Sequence, residues 1–214
     1  MKTSHLAKLR KEMEKMLEPK RYEHTLGVAY TAANLAAVHG ADIEKALIAG
    51  MLHDCTKCLS HHKQISICKK NHVPLSEMET IENSPLLHAK SGSILARKEY
   101  GIRDEDILNA ICYHTTGRPQ MSTLEKLIYI ADYMEPGRER AKRTGGELQE
   151  LVEVRQLAFR DLDAALCKIL GHILTYLSHK GGKIDPMTQK TYEYYLKDQS
   201  AQQCTQTCER NELG

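Results

Sequence analysis

The chain has 214 residues, enough for one domain with a substantial core or one domain with a small appendage. Hydrophobic residues make up 41% and charged residues 27%, an ordinary globular balance. The formal net charge is +2, so no overall field draws the chain to nucleic acid or to a membrane, and any anion must be held by a local cluster.

The first twenty residues are charged throughout and carry no apolar core, so they do not read as a secretory signal. The longest apolar run, 46–52, is far too short to span a bilayer. Seven cysteines without an export signal fit a reducing cytoplasm, and their odd number argues against a complete disulfide framework. Cys55 and Cys58 read as incidental thiols.

The expected fold class is all-α. Strand signals are poor, with few β-branched runs and no alternating segments between hairpin turns. In chain order, a charged helix is expected over 5–17 and is broken by Pro19. An Ala-rich helix over 21–39 should end at Gly40, and Asp42 should cap the next, which closes near His53-Asp54. Residues 55–84 read as a loop with one short helix, in which His61 and His62 sit on the surface. Helices follow at 86–99, 104–114 and 122–134, then a Pro/Gly/Arg-rich segment at 135–146. The stripe Leu148, Leu151, Val152, Ala158, Leu162, Ala165, Ile169, Ile173, Leu177 predicts one long core helix ended by Gly181-Gly182. The expected domain is a helical bundle over 1–197, followed by a polar, mobile tail over 198–214.

The chemistry starts from His53-Asp54. A carboxylate beside an imidazole at the buried end of an apolar helix is costly unless something satisfies it, and a divalent cation would. His24 lies one helix upstream in an apolar setting. Asp132 follows Leu124, Leu127, Ile128 and Ala131 at helical spacing, and His114 follows Ile107, Ala110 and Ile111 in the same way. His88 opens a further helix. Each histidine alone is more often a satisfied core or surface residue than a ligand. Six such residues against apolar faces point to a shared metal site.

The order His, His-Asp, Asp resembles the HD-domain superfamily of metal-dependent phosphohydrolases, and within it the YqeK-type symmetrical dinucleoside tetraphosphatases. The matching segments are Arg21-Tyr22-Glu23-His24-Thr25-Leu26-Gly27-Val28, His53-Asp54-Cys55-Thr56-Lys57, Ser84-Pro85-Leu86-Leu87-His88-Ala89, Tyr113-His114-Thr115-Thr116-Gly117 and Ala131-Asp132-Tyr133-Met134-Glu135-Pro136-Gly137-Arg138. The resemblance implies a helical HD bundle, an iron-containing centre, and hydrolysis of diadenosine tetraphosphate to two ADP. It implies His24, His53, Asp54 and Asp132 as metal ligands, with His88 and His114 completing a second position in binuclear members. It departs near the C-terminus: the family has His-Pro before a Thr, whereas this chain reads Ile184-Asp185-Pro186-Met187-Thr188. The ligand positions are unaffected.

Four imidazoles and two carboxylates are too nitrogen-rich for magnesium and suit iron, with manganese, cobalt or zinc as substitutes. Asp54 is expected to bridge two ions. Lys57 is the further catalytic candidate, near enough to reach the same phosphates. Substrate contacts are expected from Arg21, Thr56, Lys57, His88, His114, Thr115 and Arg138, with Arg138 gripping phosphate bidentately. The expected partners are a dinucleoside polyphosphate and ADP, with neither nucleic acid nor membrane, and a homodimer is left open. Two other readings share these residues: an HD nucleotidase acting on mononucleotides or alarmones, and a catalytically silent nucleotide-binding module.

Overall fold

The structure is a computed structural model that describes the backbone of residues 3–140 and 145–212 and the side chains of 5–138 and 149–199. Among the described residues it holds eleven α-helices and no strand, as the patterning predicts. They are α1 (Thr3–Met16), α2 (Pro19–Val38), α3 (Ile43–Leu52), α4 (His61–Lys70), α5 (Glu77–Thr80), α6 (Leu87–Lys98), α7 (Glu105–Tyr113), α8 (Thr123–Met134), α9 (Gly145–Ala158), α10 (Leu162–His179) and α11 (Pro186–Glu212). A 3-10 turn, Pro136–Arg140, follows α8. No helix among the described residues is long and apolar enough to cross a membrane.

Local chemistry sets the helix ends. Pro19 opens α2 at a first-turn position, where its missing N–H costs nothing. Gly40 takes φ +65° just beyond α2. The Asp42 carboxylate then accepts the Lys45 N–H at 3.0 Å and starts α3. At α8, Ser122 and Glu125 form a reciprocal capping box, and the buried Glu125 carboxylate also receives Arg118 at 2.6 and 2.8 Å.

The core is the meeting of α2, α3, α7 and α8. Val28, Ala29, Ala32 and Leu35 of α2 pack with Ala46, Ala49 and Leu52 of α3 and with Leu127, Ile128 and Ala131 of α8, all essentially without solvent exposure. Small residues let α2 and α3 approach closely. A Cβ at Gly50 would lie 2.6 Å from the Ala29 Cα, a distance real side chains do not tolerate. His24 lies five residues before that contact on α2 and His53 three residues after it at the end of α3, so the contact sets the helix spacing on which both rings depend.

Two expectations need correction. Residues 55–84 hold two helices, α4 and α5, and His61 and His62 open α4. Ser60 caps α4, and a Ser76–Glu79 capping box makes the four-residue α5, so caps set this region more than apolar periodicity does. The single long helix is two, α9 and α10. The N–H groups of Arg160 and Asp161 both turn back to Leu157 O, and the Asp161 carboxylate accepts the Ala164 N–H at 2.9 Å to restart the helix. The apolar stripe runs through both halves, so periodicity alone does not register the break. Val152 is largely exposed and leaves the stripe, and the Leu148 side chain lies outside the described residues.

Candidate metal centre

Five elements deliver the six expected ligands. His24 stands in the second turn of α2, His53 and Asp54 directly follow α3, His88 opens α6, His114 directly follows α7, and Asp132 lies in the last turn of α8. The placement after helix ends has a consequence. The last carbonyls of a helix lack an intrahelical donor. His53 Nδ1 takes the free carbonyl of Gly50 at 2.7 Å, and His114 Nδ1 takes that of Ile111 at 2.8 Å. Each ring is thereby fixed as the Nδ1–H tautomer with its Nε2 lone pair facing inward. His24 sits where carbonyls are already used, and its Nδ1 instead meets the Glu135 carboxylate at 3.1 Å.

Asp54 lies at the centre, buried, and its two oxygens face different partners. Oδ2 is 3.5 Å from His53 Nε2 and 3.8 Å from His24 Nε2. Oδ1 is 3.0 Å from His88 Nε2 and 3.8 Å from His114 Nε2. Two ligand groups follow, His24-His53-Asp54 and Asp54-His88-His114, each with its donor atoms within 4.8 Å of one another. Asp132 flanks the first, with Oδ1 3.1 Å from His24 Nε2. The buried Nε2 atoms of His24 and His53 have no aligned hydrogen-bond donor or acceptor. Buried ring nitrogens that lack an aligned hydrogen bond, in a set of imidazoles and carboxylates gathered around a common point, fit a divalent cation.

The electrostatics agree with that reading. Burial would raise the Asp54 carboxyl, but His53 and His88 outweigh it and hold it well below the usual carboxylate range. Asp132 is likewise held low against its burial by His24 and Arg138. Burial pushes His114 down to about 3 and also lowers His88, so both stay neutral, the form a metal requires. His24 is raised despite its burial, because the Asp132 and Glu135 carboxylates each lie 3.1 Å from one of its ring nitrogens.

A cavity of about 300 Å³ opens over the centre. Its floor is Asp54, His88, His114 and Asp132, and Arg21, Lys57 and Arg138 bring three cations to it. Arg21 Nη1 bonds Asp54 Oδ2 at 2.8 Å, and Arg138 bonds Asp132 through Nη2 to Oδ1 at 2.6 Å and through Nε to the backbone oxygen at 2.8 Å. Lys57 Nζ lies 3.1 Å from His88 Nδ1 and is lowered by burial. Thr115 lines the same cavity. Thr56 does not, contrary to expectation. Its side chain is fully buried, donating to His88 O at 2.8 Å and meeting Ser91 Oγ at 2.9 Å, so it supports the start of α6 and offers nothing to a substrate. Sequence reasoning missed Glu135, Tyr129 and Tyr133. Tyr129 and Glu135 lie three residues either side of Asp132, a helical spacing that could have found both.

Comparison with known proteins places this arrangement. The HD domain family model matches residues 21–137, more than half the chain and every expected ligand. This chain belongs to the HD-domain family. Relatives match 84–90% of its length. It is 39% identical over 180 residues to a symmetrical bis(5'-nucleosyl)-tetraphosphatase of Halalkalibacterium halodurans, covering 84% of this chain and 90% of that one. It is 39% identical over 184 residues to the protein of the same name in Bacillus subtilis, covering 86% and 94%. A crystal structure from Clostridium acetobutylicum, described as an HD superfamily hydrolase involved in NAD metabolism, superposes with a TM-score of 0.82 at 43% identity, covering 90% of this chain and 97% of that one. HD membership and the two His/Asp groups together mark a divalent-metal centre.

Proposed function

We propose that this chain hydrolyses diadenosine tetraphosphate symmetrically to two ADP. The observation that carries the reading is the position of Asp54, whose two oxygens face two separate histidine pairs beneath a cavity lined by Arg21, Lys57 and Arg138. The names of the two tetraphosphatase relatives support the substrate and the symmetry. His24, His53, Asp54 and Asp132 would hold one cation and Asp54, His88 and His114 a second, with iron the proposed metal and manganese, cobalt or zinc as substitutes. A bound cation would supply acidified water and withdrawal of charge from phosphoryl oxygens.

The chain's own groups do the rest. Arg21, Lys57 and Arg138 bind the tetraphosphate and set its register, so that water adds to a phosphorus beside the central bridging oxygen. The bond from that phosphorus to the central oxygen breaks, and the oxygen leaves on the second ADP. Arg21 and Arg138 are preorganised by the carboxylates they already bond, which lowers the cost of ordering them around phosphate. Thr115 adds a hydroxyl donor. His88 would turn its Nε2 lone pair to the second ion once Lys57 moves from its Nδ1 to the phosphates. The cytoplasm is the proposed setting, supported by the free thiols Cys55, Cys58, Cys68, Cys112 and Cys167.

The test is metal analysis of protein purified without oxygen, coupled to chromatography of the products from diadenosine tetraphosphate. ADP as the sole product is expected. ATP with AMP would overturn the symmetry, preference for a mononucleotide would favour a nucleotidase, and binding without turnover in iron, manganese and cobalt would leave a silent module.

A further inference from the structure

Three histidines of the centre are anchored through Nδ1, but the anchors differ in kind. His53 and His114 bond neutral backbone carbonyls, Gly50 O and Ile111 O. His24 alone meets a carboxylate at Nδ1, Glu135 Oε1 at 3.1 Å. The two Glu135 oxygens are divided between tasks. Oε2 accepts the Gly137 N–H at 2.5 Å and shapes the turn after α8, while Oε1 meets the imidazole, with Arg138 Nε 4.0 Å away.

The surroundings hold this carboxylate in place. Glu135 is buried to 3% exposure. A Cβ at Gly27 would come within 2.5 Å of Glu135 Oε2, and one at Gly137 within 2.8 Å. Gly27 is one helical turn beyond His24 on α2, so the absent side chain opens the space through which Glu135 reaches the ring. Arg155 of α9 donates to Met134 O at 3.0 Å and to Glu135 O at 3.2 Å, pinning the backbone from the far side.

The geometry points to Glu135 as a positioning residue that fixes His24 as the Nδ1–H tautomer and strengthens its Nε2 as a donor to a divalent cation. A carboxylate on the far nitrogen orients a ligating imidazole and increases its basicity, which a backbone carbonyl does less strongly. The inference rests on the metal-centre reading. It adds that the first ligand group is the tighter one, because one of its histidines is electron-enriched and neither histidine of the second has such an acceptor.

The test is titration of the full-length, metal-stripped chain with Co2+, followed by the visible absorption of the bound ion and by competition with a chelator. Glu135→Gln keeps shape and removes charge, and is expected to raise the dissociation constant of the first equivalent about 10- to 100-fold. Gly27→Ala displaces the carboxylate without altering its charge and should shift the same equivalent in the same direction. Unchanged Co2+ affinity in Glu135→Gln would overturn the assignment and leave the metal centre standing, whereas wild-type protein that binds no Co2+ would overturn both. Nitrogen-proton correlation spectra of wild-type imidazoles need no variant. In the Zn2+-loaded protein a proton on His24 Nδ1 is expected, and its absence there would refute the role.

Discussion

Replacing Gly50 by alanine tests whether packing far from the phosphates sets the metal centre. The new Cβ would lie 2.6 Å from Ala29 Cα, 3.0 Å from Ala29 N and 3.2 Å from Ala29 Cβ. Ordinary contacts begin near 3.4 Å, and two of these atoms are backbone, so no rotamer relieves the clash. The helices α2 and α3 must part by about 1 Å. Overpacking of this kind costs about 1–3 kcal/mol, against which alanine returns at most about 1 kcal/mol of helix propensity. The expected net loss is about 1–2 kcal/mol, a fall of about 2–8 °C in melting temperature for a chain of this size. The functional effect should be larger than the structural one. His24 and His53 ride on the two helices that separate, and metal bonds tolerate only about 0.2 Å. Melting curves with chelator and with added Mn2+ read both effects: Gly50→Ala should melt lower and lose most of the Mn2+-induced rise. A variant that keeps the wild-type rise would refute the claim that this helix contact sets the ligand spacing.

Lys57→Ala should retain the metal, since Lys57 donates no ligand atom to either group, but lower turnover about 100-fold, the usual scale for one lost donor to developing charge; an unchanged rate removes Lys57 from the mechanism. Acid should destabilise the metal-free protein. His88 and His114 are lowered in the fold by burial, His114 to about 3, so below the ordinary imidazole value of 6.5 the unfolded chain gains protons that the folded chain refuses. Asp54 and Asp132, held low, add a further loss at lower pH, while the raised His24 opposes it. The urea midpoint should therefore drop between about pH 7 and about pH 5, and a higher midpoint at the lower pH would contradict the sign. Asp161→Ala removes the cap that accepts the Ala164 N–H and should cost about 0.5–2 kcal/mol, seen as a lower melting temperature; equal melting would show that the break between α9 and α10 does not depend on it.

The helical class and most helix positions were legible because apolar spacing at His24, His53-Asp54 and Asp132 left charged groups on buried faces, where chance rarely puts them. Asp42 and Gly40 marked their helix ends through local chemistry that needs no tertiary context. The break at residues 159–161 was not legible, because Ala158, Leu162 and Ala165 keep the stripe nearly in phase across it. Thr56 was misread for a related reason. It lies between Asp54 and Lys57, and only its contact with His88 O, 32 residues away, shows that it supports α6 instead of facing the cavity. Glu135 escaped because a glutamate after a helix reads as a solvated end until Gly27 is seen to make room for it.

The ligand set is scattered along the chain from residue 24 to residue 132 and drawn from five elements. An ion gripping that set would act as a cross-link closing several long loops at once, and its binding energy would count toward holding the bundle together. Scarcity of metal would then do more than silence the enzyme. It would leave a looser chain, more open to proteolysis, so that the amount of protein surviving in a cell would track the supply of its cation.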